Sequence, residues 1–448
     1  MQADLEHLTT ALLAAARDAG AESADAVAVA GESLSIEVRG GALEQAERAE
    51  GVDIGLRVLI GQRQACVSAS DLKPQTIATM AERAVAMARE APEDPWCGLA
   101  DPEELARDWD LAALDLEDRE APPDPAGLER LAREAEAAAL AVPGVSMMDV
   151  AGASWQRMRL HLAATNGFSG GYARTSSGLH AVAITGDGTE MERDYAYESR
   201  VHRAELPDPA EVGRRAGERA VARRGAAKPP TGAWPVVFDE RVASSLIGHL
   251  TQAVNGSAVA RGASWLKDAL GERVLPAGID LIEDPLRPRI GGSRPFDAEG
   301  LPVARRAIVE GGVLMGWTLD LATARKLGMK STGNATRGTG SPPSPASGNL
   351  WLTHGEASRD SLLAEMGEGL LVTSLIGASI NQTTGDYSRG ASGFWVRNGE
   401  IVRPVNECTI AGNLREMLLT IRLANDGRPW LSRVVPSLLV EGLTIAGE

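Results

Sequence analysis

A chain of 448 residues is long enough for two or three domains, each with its own hydrophobic core, so a single small module is excluded. Apolar residues make up 44% and charged residues 24% of the chain, which excludes a disordered or fibrous protein. The formal net charge of -16 would repel phosphate-rich partners, so nucleic acid is not expected as a ligand.

The first 140 residues alternate between helical and strand patterns. Leucines recur at helical spacing over residues 5–13, and apolar residues alternate with polar ones over residues 34–39 and 52–60. Prolines predict the starts of two further helices, which cover residues 74–90 and 125–140. We predict an N-terminal α/β part in which an antiparallel sheet packs against helices.

The chain between the second and third predicted helices, residues 91–125, is dense in Pro, Asp and Glu. Trp96 and Trp109 interrupt it, and we expect both to anchor a long surface connection within one domain. Alternation around residues 158–162 then predicts a second antiparallel set of strands.

The clearest domain boundary lies at residues 223–235, where a basic helix end runs into a stretch rich in Gly and Pro. We place the division there. Residues 1–225 are predicted to form the N-terminal α/β domain, and residues 226–448 are predicted to form a second domain.

The second half begins with a predicted strand at residues 234–238 and a predicted helix at residues 240–255. Glycine-rich, β-prone segments follow, with hairpin turns expected at Gly311-Gly312 and Asn398-Gly399. Residues 331–348 are too polar to bury much apolar surface and are predicted to be a flexible loop. The whole chain is therefore predicted to be α+β, with a β-rich, barrel-like C-terminal domain.

The cysteines and the N-terminus indicate a cytoplasmic protein. Cys66, Cys97 and Cys408 lie far apart and form no CxxC pair, which is typical of a reducing compartment. The N-terminus carries acidic residues where a signal peptide needs basic ones. No apolar run reaches the roughly 20 residues that cross a bilayer, so no membrane span is expected.

The string GFSGG at residues 167–171 matches the G-x-S-x-G pattern of a nucleophile elbow, with Ser169 as the nucleophile. The elbow requires a helix after the serine, whereas residues 172–184 alternate as a strand does. A glycine-rich β-turn is therefore the preferred interpretation.

Histidine is scarce, with six in the chain. Zinc sites usually take two ligands from nearby helical positions, and His249 is the only helical candidate in the C-terminal half. Ser245 and Ala253 lie one turn to either side, and neither is a useful zinc ligand. We therefore interpret His249 as a structural residue.

Residues 386–395 form the densest cluster of chemistry-bearing side chains. Glycines there allow close backbone approach, and hydroxyl and guanidinium groups could hold a peptide carbonyl or carboxylate. The candidate substrate-binding residues are Tyr387, Arg389, Gly390, Ser392 and Gly393. A tight turn and strand with buried aromatic residues would have the same composition, and both interpretations stay open.

The C-terminal motifs resemble those of a known family. The strings NQTTGDYSRGASGFW at residues 381–395 and NGEI, PV and TIAGN within residues 398–413 closely resemble the C-terminal signature of the TldE (PmbA) proteins. The strings RGG at residues 39–41 and GVDIGLRV at residues 51–58 also fit this family. The similarity covers nearly the whole chain.

The resemblance implies an N-terminal α/β part and a C-terminal barrel-like part. It also implies pairing with a related subunit, TldD, in a cytosolic zinc peptidase that trims leader segments and degrades unstructured polypeptides. In that catalytic subunit, a helix presents His-Glu, three residues and a second His, and a cysteine near the C-terminus completes the site. The glutamate acts there as general base on a zinc-bound water.

Aligned on Gly256 and the following Arg-Gly pair, the metal-binding positions of the catalytic subunit fall on Ile247, Gly248 and Gln252. None of these three can replace the lost zinc ligands. The resemblance therefore implies a subunit without its own zinc, with zinc expected only in the partner.

The position of the catalytic subunit's cysteine falls near Tyr387 or Ser388, and Cys408 lies well downstream of it. The resemblance therefore assigns no role to Cys408. It implies no catalytic residue in this chain.

Two hypotheses follow from these observations. In the first, the chain is the non-catalytic subunit of a TldD/TldE-type zinc metallopeptidase, and extended peptide adds as a strand beside residues 390–395. In the second, it is a metal-free homo-oligomer that binds peptide or a small ligand and hydrolyses nothing, with a homodimer as one form of the isolated chain. A serine hydrolase that uses Ser169 is retained as a third hypothesis.

Overall fold

The computed structural model describes residues 4–448, and its fold is α+β, as predicted. The helices are α1 Leu5–Asp18, α2 Pro74–Glu90, α3 Leu111–Leu114, α4 Pro125–Leu140, α5 Pro209–Ala222, α6 Glu240–Ala253, α7 Gly256–Ala260, α8 Leu321–Leu327, α9 Arg359–Met366 and α10 Leu414–Leu419. Short 3₁₀ turns cover Gly188–Glu190 and Arg203–Glu205. Within residues 4–448, none of the helices has the length and apolar character needed to cross a bilayer.

The strands of the N-terminal half are β1 Ser23–Arg39, β2 Ala42–Ile60, β3 Arg63–Ala69, β4 Val145–Ala164, β5 Ser169–Thr185 and β6 Glu192–Arg200. Those of the C-terminal half are β7 Gly232–Phe238, β8 Leu281–Glu283, β9 Arg306–Glu310, β10 Val313–Leu314, β11 Ala335–Thr336, β12 Ser344–Pro345, β13 Leu350–Leu352, β14 Gly369–Ile380, β15 Asp386–Arg397, β16 Glu400–Asn413, β17 Arg422–Leu423, β18 Arg433–Val434 and β19 Leu438–Ala446.

Local sequence signals set the starts of several helices. Proline lies in the first turn of α2, α4 and α5, where its missing N–H would have no partner in the helix anyway. Asp124 and Asp208 each cap the following helix, because a side-chain oxygen accepts a hydrogen bond from a first-turn N–H group. The predicted helices at residues 74–90 and 125–140 therefore begin and end where the sequence indicated.

The N-terminal half forms one six-stranded antiparallel sheet with the order β3-β2-β1-β4-β5-β6. The predicted second antiparallel set is present as β4, β5 and β6, and it continues the first set because β4 pairs with β1 along most of its length. One sheet therefore carries all the strands before residue 201.

The two faces of β1 bury different residues because side chains alternate along a strand. Ala24, Ala26 and Ala28 pack against α1 and α2, whose close approach their small side chains permit. The side chains of Asp25, Val27 and Val29 point to the other face of the sheet. Val27 and Val29 join a cluster that includes Phe296 of the C-terminal half. The N-terminal sheet is thus covered by helices on one face and contacts the C-terminal half through the other.

The long connection between α2 and α4 is anchored by one of its two tryptophans. The ring of Trp109 lies 6.2 Å from that of Phe168 and 4.9 Å from that of Phe296. Trp96 is 37% exposed, so the prediction that it is an anchor was wrong. Trp109 belongs to the apolar cluster that contains Phe168 and Phe296, whereas Trp96 does not.

The C-terminal half is built around a closed five-stranded barrel, which confirms the barrel-like prediction. Its strands run β16-β15-β14-β7-β19, and β19 pairs back with β16 to close the ring. Residues from all five strands share one hydrophobic cluster with α6. A mixed sheet, β10-β9-β8-β13-β18, packs into the same core.

The chain passes from α5 to the barrel strand β7 across residues 223–231. The division between residues 1–225 and 226–448 stays a prediction. Both hairpins expected in the second half are present, as β9–β10 and β15–β16.

The loop at residues 331–348 contains the short hairpin β11–β12 and is held by polar contacts. Asn334 donates from Nδ2 to Glu283 Oε1 at 2.8 Å, and Arg337 pairs with Asp25 of the N-terminal sheet. A flexible loop was predicted because the segment is poor in apolar residues. The prediction missed that ion pairs and hydrogen bonds to distant elements hold the loop in place.

Candidate functional site

Helix α6 leaves the barrel directly after β7. Asp239 caps it by accepting a hydrogen bond from Arg241 N at 3.2 Å. Leu246 and Leu250 are fully buried in the barrel core, which fixes the rotation of the helix. The opposite face of α6 approaches the outer part of the β14–β15 hairpin.

The three positions aligned with the metal-binding residues differ in exposure. Ile247 is 1% exposed and belongs to the barrel core, Gly248 is half-buried, and Gln252 is exposed. The side chain at 247 is therefore held among apolar residues, whereas the side chain at 252 faces outward.

A tetrahedral zinc needs Cys, His or carboxylate ligands at about 2.0–2.3 Å. Ile247 and Gly248 offer no such group, and Gln252 offers only an amide. Over residues 4–448, no group of three or more His, Cys, Asp or Glu side chains is placed to hold a metal ion. The residues at this site do not fit a catalytic zinc.

His249 lies beside the aligned positions and faces Tyr387, with 5.9 Å between the ring centres and 72° between the ring planes. Neither ring nitrogen makes a hydrogen bond of normal geometry. Burial lowers the pKa of His249, the positive charge of Arg389 lowers it further, and the nearby Gln252 side chain partly opposes both. The neutral imidazole therefore packs edge to face with a tyrosine.

The lowered pKa predicts that His249 makes the fold sensitive to acid. The unfolded chain takes up a proton near pH 6.5 and the folded chain only at lower pH, so this histidine reduces stability as pH falls below about 6.5. We expect His249→Leu to remove part of that loss, up to about 1.4 kcal/mol per pH unit. Urea unfolding at about pH 7.5 and about pH 5.5 measures the effect. The other histidines are the same in both proteins, so their contributions to the pH dependence disappear when the two proteins are compared. Parallel pH curves would contradict the prediction.

Gln252 and Gln382 form a polar contact between α6 and the β14–β15 hairpin loop. Gln382 donates from Nε2 to Gln252 Oε1 at 3.3 Å, and its carbonyl accepts from Trp265 N at 2.9 Å. Sequence reasoning did not select Gln382, although it lies within the motif at residues 381–395. The position of Gln382 within that motif was the sequence feature that could have identified it as a site residue.

Three of the five predicted substrate-binding residues are buried. Tyr387 is 1% exposed, and burial raises the pKa of its hydroxyl. Ser392 accepts a hydrogen bond from Arg223 Nη2 at 2.8 Å. Gly393 lies against the carbonyl of Leu371, where any side chain would collide with backbone. A ligand outside this chain cannot reach these groups as they stand.

The other two predicted residues, Arg389 and Gly390, are half-buried. Arg389 donates from Nε to the carbonyl of Gly377 at 2.7 Å, across the β14–β15 hairpin. The positive charge of Arg389 also lowers the pKa of His249, so Arg389 lies close to the exposed face of α6. The structure thus brings together His249, Arg389 and Tyr387, and separates Ser392 and Gly393 from them.

The predicted surface for strand addition at residues 390–395 was wrong. Strand β15 pairs with β14 on one side and with β16 on the other, so it has no free edge there. Strand β14 pairs with β7 only at residues 370–372. In the part of the chain that the structure describes, no strand covers that edge of β14 beyond Val372.

Ser169 opens strand β5 and is not followed by a helix, so the nucleophile-elbow geometry is missing. Its hydroxyl lies 3.4 Å from His161 Nε2. The other ring nitrogen, Nδ1, bonds to the Thr9 hydroxyl at 2.9 Å instead of a carboxylate. This arrangement lacks the acid that would orient a catalytic histidine.

Cys408 lies in the barrel core. Its thiol donates to the carbonyl of Ala391 at 3.2 Å, and burial raises the pKa of Cys408 to about 11. A thiol that stays protonated at neutral pH is a poor nucleophile and a poor metal ligand. Cys408 is therefore a packing residue here.

Comparison with known proteins gives consistent matches along the chain. Family models match as PmbA/TldA metallopeptidase domain 1 at residues 24–88, central domain at residues 110–224 and C-terminal domain at residues 231–447. Metalloprotease PmbA of Escherichia coli O157:H7 is 37% identical over 450 residues, covering 99% of this chain and 96% of that protein. A metalloprotease TldD homolog of Buchnera aphidicola is 27% identical over 232 residues, covering 48% of this chain and 46% of that protein.

Solved structures share the whole fold. A proposed modulator of DNA gyrase from Bacteroides thetaiotaomicron has a TM-score of 0.89 and 26% identity, with 99% of each chain covered. TldE from Thermococcus kodakarensis has a TM-score of 0.85 and 19% identity, covering 98% of this chain and all of that one. The second likeness is one of fold alone.

Proposed function

Because this chain belongs to the PmbA/TldE family, we propose that it is the non-catalytic subunit of a heteromeric zinc metallopeptidase acting on unstructured or leader peptides. The zinc and its general base would come from a TldD-type partner. The observation that carries the proposal is helix α6, which presents Ile247, Gly248 and Gln252 at the aligned metal-binding positions.

The contribution proposed for this chain is a surface that holds extended peptide. The edge of β14 beyond Val372 is not paired with β7, so a peptide main chain could add beside it whatever the peptide's sequence. The exposed side chain of Ile376 and the charge of Arg389 flank this edge. An edge of this kind suits a peptidase that accepts unstructured chains.

The proposed location is the cytoplasm, where a reducing environment keeps thiols free. Within residues 4–448, Cys66, Cys97 and Cys408 are all unpaired. Their free state is compatible with that compartment.

The alternative is a metal-free homo-oligomer that binds peptide without cleaving it. The same open strand edge favours it, since an exposed edge can also pair with a second copy of the chain. The two proposals differ in whether a zinc-bearing partner is required for hydrolysis.

The decisive experiment measures zinc content and peptide hydrolysis for this chain alone and after mixing with a TldD-type relative from the same organism. We expect the isolated chain to hold far less than one zinc per molecule and to leave an unstructured peptide intact. The mixture should form a heteromer and cleave the peptide. Stoichiometric zinc with hydrolysis by the isolated chain would overturn the proposal.

Two controls separate the roles of the chains. A partner whose His-Glu motif carries Gln in place of Glu should assemble but not cleave. In this chain, Arg389→Gln should lower kcat/KM of the mixture about tenfold, the size expected for one charged hydrogen bond. Arg397→Gln, on the same strand but bonded to Glu368 at 3.1 Å, should leave it unchanged. A chain that forms only homo-oligomers and binds peptide without cleavage supports the alternative.

A further inference from the structure

A cavity of about 130 Å³ lies between the N-terminal sheet and the loop at residues 331–348. One wall is apolar and consists of Val27 and Val29 of β1 with Leu160 and Leu162 of β4. Backbone of residues 336–339 forms the opposite wall. The cavity shares no lining residue with the α6 site, so what it binds is independent of the proposed function.

Two arginines line the cavity with N–H groups that have no acceptor. The side chain of Arg337 is 2% exposed, and its Nη2 has no hydrogen-bond partner. Arg294 donates from Nη1 and Nη2 to the carbonyls of Ala335 and Gly333 at 3.3 and 3.4 Å, while its buried Nε has no partner. Buried charged donors without an acceptor are costly, so the site favours an added oxygen ligand.

One buried carboxylate is shared by two of the arginines on this side of the sheet. Asp25 accepts hydrogen bonds from both Arg57 and Arg337. Its two oxygens do not satisfy all the donors of both guanidinium groups, and Arg337 Nη2 is left without an acceptor. The side chains of all three residues are at most 4% exposed, so water does little to replace the missing acceptor.

Two nearby acids do not supply that acceptor. Asp297 also lines the cavity, but its oxygens accept the N–H groups of Glu299, Leu301 and Ala335. Glu299 accepts the N–H group of Leu321 at 2.9 Å through Oε2. Neither acid accepts a hydrogen bond from Arg337 Nη2.

We infer that this cavity binds a small monocarboxylate whose carboxylate accepts from Arg294 and Arg337 and whose apolar part packs against the valine and leucine wall. A planar guanidinium matches the geometry of a carboxylate. A dry cavity of about 150 Å³ accommodates benzene, so the smaller space here suits a ligand of about six or seven non-hydrogen atoms, including the carboxylate. A strongly hydrated phosphate would lose its water against the apolar wall.

The test is isothermal titration calorimetry on the full chain with 3-methylbutanoate, its primary amide and acetate. We expect 3-methylbutanoate to bind saturably. The amide, which has the same shape without the charge, should bind at least about tenfold more weakly because charged hydrogen bonds are lost. Acetate should also bind at least about tenfold more weakly, because it lacks three carbon groups that the wall would bury.

A fourth probe, N-acetyl-leucine, presents the same carboxylate and a similar apolar group on a peptide end. Tighter binding than that of 3-methylbutanoate would identify a peptide C-terminus as the source of the carboxylate. Tighter binding of 3-methylbutanoate would identify a free acid. In either case the carboxylate binds the same two arginines, and the apolar group packs against the same valine and leucine wall.

Two variants test the site from independent directions. Arg294→Gln should weaken 3-methylbutanoate binding at least about tenfold. Leu160→Phe keeps both guanidinium groups but fills the cavity, and should abolish binding. Arg273→Gln is the matched control, since Arg273 is exposed and donates to the carbonyl of Gly311 at 3.3 Å. Circular dichroism establishes that each variant is folded.

Two results would overturn the inference. One is the absence of saturable 3-methylbutanoate binding up to about 10 mM, a range that includes weak small-ligand affinities. The other is equal affinity for the acid and its amide, which would mean that the arginines take no part. Unchanged binding in a folded Leu160→Phe variant would place the ligand elsewhere and contradict this site.

Discussion

Replacing Asp25 with Asn should lower the free energy of unfolding by about 3–5 kcal/mol, the usual cost of breaking a buried ion pair by removing one partner. Asp25 accepts from Arg57 Nε at 2.7 Å and pairs with Arg337 of the C-terminal half. Asparagine has nearly the same shape, so the change removes the charge and leaves two buried guanidinium groups facing each other. Guanidinium chloride unfolding of both proteins measures the loss.

The same substitution should change how stability depends on pH. Burial alone would raise the pKa of Asp25, but Arg337 and Arg57 hold it below its ordinary value of 3.8. A carboxyl group whose folded pKa is depressed stabilises the fold above its unfolded pKa, and the contribution is lost as pH falls through the folded pKa. The difference between wild type and variant should therefore narrow below about pH 4.

Asp149→Asn is the matched control for Asp25→Asn. Asp149 pairs with Arg39 and Arg193 at 3.8 and 3.5 Å, but its side chain is 38% exposed. Exposed ion pairs contribute at most about 1 kcal/mol, so this change should cost no more than that. Equal losses at both positions would show that burial is not what makes the Asp25 pair important.

Replacing Ile247 with His should also destabilise the chain by about 3–5 kcal/mol. The isoleucine is 1% exposed among the barrel residues, so histidine would remove apolar packing and bury polar nitrogens without partners. Adding Gly248→Glu and Gln252→His should not create a tight zinc site, because the aligned cysteine position carries Tyr387 or Ser388 and supplies no third ligand. Unfolding measurements and zinc titration against a competing chelator check both statements.

Gln252→His alone is the control for this experiment. Gln252 is exposed on the same helix, and a surface change of this kind should alter the free energy of unfolding by no more than about 0.5 kcal/mol. A triple variant that keeps wild-type stability would contradict the burial of Ile247 in the barrel core. Tight zinc binding by that variant would contradict the need for a third ligand at the aligned cysteine position.

Several local features could be predicted because short-range backbone preferences set them. Pro74 and Pro125 begin their helices, and the turns at Gly311-Gly312 and Asn398-Gly399 form hairpins. Proline and glycine restrict or permit backbone angles whatever surrounds them. The motif at residues 381–395 also indicated the family. The family resemblance in turn implied a barrel-like C-terminal half.

The candidate groove was only partly predictable. Residue type in the motif suggested donors and close backbone approach, but Ser392 and Gly393 are buried and Arg389 remains accessible. Which residues face outward depends on β15 having a neighbour on both sides, and those neighbours are distant in the sequence. The open edge of β14 also depends on strand pairing, because β7 pairs with β14 only at residues 370–372.

The sequence by itself determined the helices, the hairpins and the family. Only the tertiary structure decided which face of α6 is buried and that one tryptophan of the long connection anchors it. It also decided that the loop at residues 331–348 is held against the N-terminal sheet. Arg337 and Asp25 are 312 residues apart, and neither segment has a local pattern that reports the other. Burial and ion pairing depend on the whole packed chain, whereas helices and turns depend on a few neighbouring residues.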